Sequence, residues 1–153
     1  MRSKVEFHAL RETLGLTQQR IADDLGVHVL SVKRWESPKY AQQAPADAWE
    51  LLDMLQALQD GAVEAVLRQA QDIARDMGDE PAEIALPYWA NQDDYREHHY
   101  PATERDASWT EANATSRAAA SALRNLGFSV RWVDGVDSSV PCQAAAEHWH
   151  RIK

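Results

Sequence analysis

Between Phe7 and Leu58 the apolar residues recur three and four positions apart, the period of a helix with one buried face, which predicts a run of short helices and no strand. A first helix is expected from Ser3 to Leu14, burying Phe7, Leu10 and Leu14. A second opens at Thr17, whose hydroxyl can accept a free amide of the first turn, and buries Ile21, Ala22 and Leu25. Gly26 then supplies a turn that needs positive φ. A third helix starts near His28, with Val27 and Val32 placed to form a hydrophobic staple across its entry. Val32 and Trp35 share its inward side, while Leu30 and Arg34 share the opposite side, flanked by Ser31 and Lys33. Residues 37–45 (SPKYAQQAP) read as a polar loop with two prolines. From Ala46 a long pattern places Trp49, Leu52, Leu55 and Leu58 on one face, with Gly61 a point at which the helix can kink or end. Val66, Ala70, Ile73 and Met77 continue the stripe to a terminator at Gly78. That stripe suits packing on the chain's own C-terminal part or a seam with a second copy.

The second half changes period. Glu83–Leu86 reads as a short strand, Pro87-Tyr88-Trp89 as a turn, and Asp93–Tyr100 as one or two helical turns. Ser108 and Glu111 form a capping box opening a helix that ends at Gly127, with Ala112, Ser116, Ala119, Leu123 and Leu126 as its inner stripe. Phe128–Val133 alternates, placing Phe128, Val130 and Trp132 on one face of a half-buried strand. Asp134–Pro141 is rich in turn residues, and Gln143–Lys153 suits a short terminal helix. The expected fold is mainly α: an N-terminal helical bundle over residues 1–60, a connecting helix over 61–78 and a small α+β region over 79–153.

Composition fits a chain that can fill a core: 153 residues, 44% hydrophobic, with six tryptophans. No apolar run reaches the roughly 18 residues of a membrane span, the N-terminal residues lack the apolar stretch of a signal peptide, and the single cysteine cannot form an internal disulfide. A cytoplasmic protein is the simplest expectation. The net charge of −8 at first argues against a nucleic-acid partner. Its distribution reverses the argument, because residues 1–44 carry seven Lys/Arg against five acids, leaving +2, and the remainder carries nine against nineteen, leaving −10.

Other chemistry finds little footing. His98 and His99 are adjacent, and His148 and His150 are two apart near Cys142; neither pair has the helical spacing of three or four that chelation on one face needs, so no metal or cofactor is expected. Neither a nucleophile elbow, nor a phosphate-binding loop, nor a dinucleotide fingerprint occurs, so an enzyme is not expected.

The segment Leu14–Ser37 carries the functional signal. An aliphatic residue beside an arginine on the outward side of a short helix matches groove reading, where arginine binds guanine bidentately and an aliphatic group rests on a thymine methyl. The base-contacting candidates are His28, Val29, Leu30 and Arg34. The phosphate-contacting candidates are Gln18 and Arg20 near a helix N-terminus, Ser31, Lys33, and Lys39 in the loop, where Tyr40 is a further candidate.

The residues Leu14-Gly15-Leu16-Thr17-Gln18, Ile21-Ala22, Leu25-Gly26-Val27, Ser31-Val32 and Arg34-Trp35-Glu36 resemble the helix-turn-helix of phage-repressor-like (Cro/C1, XRE-type) regulators, over roughly Val5–Leu58. The whole-chain layout is similar to YdiL-like and anti-CRISPR-associated repressors, with Trp109 in the place of a tryptophan near the start of a helix. The chain departs from that pattern in having His28 where the family has Ser or Thr, Ser37-Pro38 in place of a glycine two residues after the glutamate, and a longer loop to Pro45. The resemblance implies a five-helix lambda-repressor-like bundle over residues 1–60, double-stranded DNA as partner, a homodimer built by the C-terminal region, and repression at an inverted-repeat operator. An antitoxin whose acidic C-terminal region neutralises a partner protein is the alternative; a regulator that senses a ligand among the aromatics of residues 83–132 is a third. Because Trp35 is assigned to the core, Trp35→Ala is expected to cost about 3–5 kcal/mol and to unfold the N-terminal helices, read by circular dichroism and urea titration. A Trp35→Ala protein with unchanged stability contradicts that inward placement.

Overall fold

The structure is a computed structural model and describes residues 1–78, 83–98 and 108–137. Along the chain run α1 (Lys4–Thr13), α2 (Gln18–Leu25), α3 (Val29–Glu36), α4 (Ala46–Asp76), β1 (Glu83–Tyr88), α5 (Gln92–His98), α6 (Trp109–Asn125) and β2 (Ser129–Asp134). Among the described residues the fold is mainly helical with a small two-stranded parallel sheet. The chain divides into two compact units, Met1–Ala57 and Leu58–Lys153.

In the N-terminal unit each short helix starts on a side-chain cap. Ser3 and Glu6 form a reciprocal capping box on α1, the Thr17 hydroxyl accepts the Arg20 amide on α2 at 3.0 Å, and His28 Nδ1 accepts the Leu30 amide on α3 at 3.2 Å. Gly26 closes α2 in the left-handed region at φ 64°, which lets α3 leave at an angle within two residues. The core is Phe7, Leu14, Leu16, Ile21, Ala22, Val32, Trp35, Ala48, Leu51 and Leu52. Phe7 lies at its centre, edge-on to Trp35 at 6.0 Å and to Trp49 at 5.1 Å, contacts that add about 0.5–1.5 kcal/mol each to area burial. Arg2 covers the outer face of Trp49 at 3.9 Å and pairs with Asp53 at 2.7 Å.

In the second unit β1 and β2 pair in parallel, Glu83 opposite Ser129 through Tyr88 opposite Asp134. A parallel pair needs a long crossover, and α5 and α6 lie within it. Ile84, Leu86 and Val130, on one face of the sheet, pack with Val66 and Ala70 of α4 and with Ala119, Ala120 and Leu123 of α6. The small residues of α6 are what allow this close approach. Beyond the sheet, Asn113 of α6 accepts the Trp89 amide at 2.8 Å and donates to the Trp89 carbonyl at 2.9 Å, so one buried carboxamide satisfies both backbone groups where the strand ends. The Trp89 ring is then held edge-on to Tyr95 at 5.2 Å.

Several expectations change. The N-terminal unit holds α1–α3 and the start of α4, four helices and not the five that the resemblance implies; α4 also runs unbroken through Gly61, so the expected connecting helix is its continuation. A glycine inside a helix costs about 0.5–1 kcal/mol against alanine, too little to stop a helix whose other positions favour it. Pro87 and Tyr88 remain in β1 and do not turn the chain; Pro87 stands next to the last residue of the strand, where a residue lacking an N–H is tolerated. Leu126 and Met77, expected on inner stripes, are exposed, because their helices have already ended at Asn125 and Asp76. Ala112 is half-buried, and Asn113 takes the inward place instead. Val27 is 37% exposed while Val32 is fully buried, so the expected staple is at best partial. The expected terminal helix from residue 143 and the histidines His99, His148 and His150, with Cys142, lie outside the described residues.

The two glycines predict opposite outcomes. A Cβ at Gly61 meets nothing within 4 Å, so Gly61→Ala is expected to stabilise by about 0.5–1 kcal/mol. A Cβ at Gly135 falls 2.4–2.6 Å from ring atoms of Trp89, so Gly135→Ala is expected to destabilise by about 1–3 kcal/mol. Urea unfolding followed by tryptophan fluorescence measures both, and effects of the same sign contradict the packing described.

Candidate nucleic-acid interface

Helix α3 has two sides of different chemistry. Val32 and Trp35 are buried, and Val29 is half-buried against the same core. Leu30, Lys33 and Arg34, at helical spacings of three and four, are exposed together, with Leu30 50% accessible. His28 is exposed at the N-terminal end, and Ser31 lies half-buried at the border. Of the four expected base readers, His28, Leu30 and Arg34 therefore face outward. Val29 does not belong with them, because one residue further back along the helix turns its side chain about 100° toward the core.

A buried carboxylate sets the pose of this helix. Glu36, the last residue of α3, has a side chain only 5% exposed. Arg11 of α1 donates Nε to its Oε1 at 2.5 Å and Nη2 to its Oε2 at 3.1 Å. Gln18, the first residue of α2, donates Nε2 to Oε2 at 2.8 Å, and His8 Nδ1 lies 2.9 Å from the same oxygen. Arg11 also donates Nη1 to the Leu16 carbonyl at 2.8 Å. One carboxylate thus joins α1, the start of α2 and the end of α3. Burial alone raises the Glu36 pKa and is the largest single influence. The hydrogen bonds from Arg11 and Gln18, with the charges of Arg11 and His8, outweigh it and hold the carboxyl below its ordinary value.

This network changes the expected phosphate set. The Gln18 carboxamide nitrogen, expected on a phosphate, is committed to Glu36 within the protein. Arg20 lies 3.4 Å from Asp24 one turn on, which offsets its charge locally. Lys33 and Lys39 are exposed. A second tie fixes the loop after α3: Lys4 Nζ donates to the Arg34 carbonyl at 2.6 Å and also to the Gln42 carbonyl. Arg34 itself lies over the Tyr40 ring, 5.5 Å from its centroid. The Glu36 network and the Lys4 tie carry no local sequence signal, since Glu36 lies 18 to 28 residues from Gln18, Arg11 and His8, and Lys4 lies 30 and 38 residues from its two carbonyls.

Elsewhere, the aromatics of residues 83–132 meet in pairs: Trp89 with Tyr95, and Tyr88 with Trp132 at 5.4 Å. Among the described residues no group of histidine, cysteine or carboxylate side chains is placed to hold a metal ion, and no helix is long and apolar enough to cross a membrane. Neither protein-family models nor curated proteins yield a match to the chain.

Glu36→Gln is expected to cost about 3–5 kcal/mol at pH 7, because it leaves Arg11 buried without its counter-charge. The folded-state pKa is depressed, so the carboxylate's contribution is complete above the unfolded value near 4.3 and is lost as pH falls through the lower folded value. The stability gap between wild type and Glu36→Gln should therefore shrink on acidification below about pH 4. Urea titrations at a series of pH values measure it, and a gap constant from pH 7 to strong acid argues against the ion pair.

Proposed function

We propose that this protein is a sequence-specific double-stranded DNA-binding transcriptional regulator, a repressor acting in the cytoplasm as a homodimer on an inverted-repeat operator. In this reading α2 and α3 are a helix-turn-helix inside a lambda-repressor-like bundle of the phage-repressor-like, XRE-type family. The observation that carries it is the two-sidedness of α3: an outward row of Leu30, Lys33 and Arg34 backed by Val32, Trp35 and the buried Glu36. An exposed leucine beside two cations gains nothing on a solvated helix. In a major groove the same three side chains meet a thymine methyl, a phosphate and a guanine edge. His28 adds a polar tip at the end that enters the groove, and Lys39 reaches a flanking phosphate. The acidic remainder of the chain lowers affinity for random duplex and leaves selectivity to base contacts. A second copy, joined through the C-terminal unit, supplies the other half-site, about 34 Å along the duplex.

The antitoxin reading draws support from one feature, the exposed Tyr88 and Trp132 side chains of the second unit, aromatic types common at the centre of protein interfaces. Co-purification with a basic protein held through those two residues favours it.

Selection of bound sequences from random duplexes is expected to return a two-fold symmetric site with half-sites one helical turn apart. On that site Arg34→Ala should lose about 1–3 kcal/mol, with a smaller loss on random DNA, both read by fluorescence anisotropy. Equal losses on the two duplexes reduce Arg34 to a phosphate contact, and failure to enrich any sequence removes the DNA reading.

A further inference from the structure

The loop after α3 is held in a definite place. The Ser37 carbonyl accepts the Tyr40 amide at 3.3 Å, and the Ser37 hydroxyl accepts the Lys39 amide at 3.3 Å, which closes a tight turn. Lys4 then reaches across from α1 and donates to the carbonyls of Arg34 and Gln42, one on each side of that turn. Tyr40 is thereby brought beside α3, 49% exposed, with the Arg34 guanidinium 5.5 Å from its ring centroid. Tyr40 spends apolar area on this position, although neither its ring nor its hydroxyl is part of the core.

We infer that Tyr40 is a specificity-determining positioning residue, whose ring fixes the Arg34 guanidinium for planar, two-point contact with a guanine edge. The inference rests on the DNA reading above and adds to it a residue outside the recognition helix. An arginine on an exposed helix face has many rotamers, and each is lost on binding. The attraction between the Tyr40 ring and the guanidinium, 5.5 Å from its centroid, removes part of that freedom beforehand, and a guanidinium so placed offers two N–H groups to one base edge. Tyr40 acts through Arg34, and a phosphate contact by its hydroxyl is not part of the role.

The test uses the full-length protein and the duplex selected from random DNA by the wild type. In the free protein, the Arg34 Nε–H resonance is expected to be displaced by the Tyr40 ring current, in Tyr40→Phe as in wild type, and to relax in Tyr40→Ala. On the selected duplex, Tyr40→Ala should lose about two- to fivefold in affinity, the size of an exposed cation–π contact. It should also relax the preference for guanine at one position of each half-site. Tyr40→Phe should bind as wild type, and Tyr40→Ala should have no effect in an Arg34→Ala background. Equal losses in Tyr40→Phe and Tyr40→Ala, or a loss that persists without Arg34, overturn the inference in favour of a hydroxyl contact. A resonance unmoved by Tyr40→Ala overturns it with the DNA reading intact, whereas failure of the wild type to enrich any duplex overturns that reading and this inference together.

Discussion

A single buried carboxylate governs the geometry of the N-terminal unit. Glu36 ends the helix that carries Leu30, Lys33 and Arg34, and its two oxygens are shared among Arg11, Gln18 and His8 from two other helices. The apolar core fixes which side of α3 faces in, but apolar contact is non-directional and tolerates small rotations and slides. Charge-assisted hydrogen bonds are directional, and a bidentate guanidinium–carboxylate pair also sets orientation. Replacing such a group by apolar residues can raise stability, so its value here lies in holding α3 in one pose relative to α1 and α2. A helix that reads base edges gains from that, because its side chains must arrive within hydrogen-bonding tolerance of the groove.

The second unit solves a different problem with similar means. A strand that ends inside a packed unit must find partners for the backbone groups at its end. Where β1 ends, Asn113 supplies the acceptor and the donor that Trp89 lacks, and the Trp89 ring occupies the space that Gly135 leaves open. The contact between Gly135 and Trp89 makes the turn after β2 part of the packing, not a passive connection. The Glu36 carboxylate in one unit and the Trp89 backbone in the other are thus satisfied by side chains from distant elements, and the apolar stripes supply the bulk of the burial.

The two units also differ in charge, and the difference bears on how the exposed face of α3 works. Cations are concentrated in the first 44 residues, yet several are already spent: Arg2 on Trp49 and Asp53, Lys4 on two carbonyls, Arg11 on Glu36, and Arg20 beside Asp24. Lys33, Arg34 and Lys39 are left on the exposed side of α3 and the loop after it. A face with so few outward cations neutralises few phosphates, which ties the proposed binding to base contacts more than to charge.

By itself the sequence determined where α1, α2, α3 and α6 begin and that Leu30 and Arg34 lie on the exposed side of α3. These follow from local rules: a period near 3.6 in apolar positions, a hydroxyl at Thr17 or Ser108, and a glycine at Gly26. It also determined that Ser129–Asp134 forms a strand, but not its faces throughout: Val130 is half-buried as expected, whereas Trp132 is exposed and Val133 half-buried in its place. The tertiary structure alone decided that Gln18 turns to Glu36, that Val29 leans into the core, that Pro87 stays in a strand, and that Arg34 meets Tyr40. Each of these depends on a partner brought near by packing or sheet pairing, or on a few tens of degrees of helix rotation. Composition and periodicity fix what a residue prefers locally, whereas the partner of a polar side chain is set by which distant backbone or charge folding brings within 3 Å.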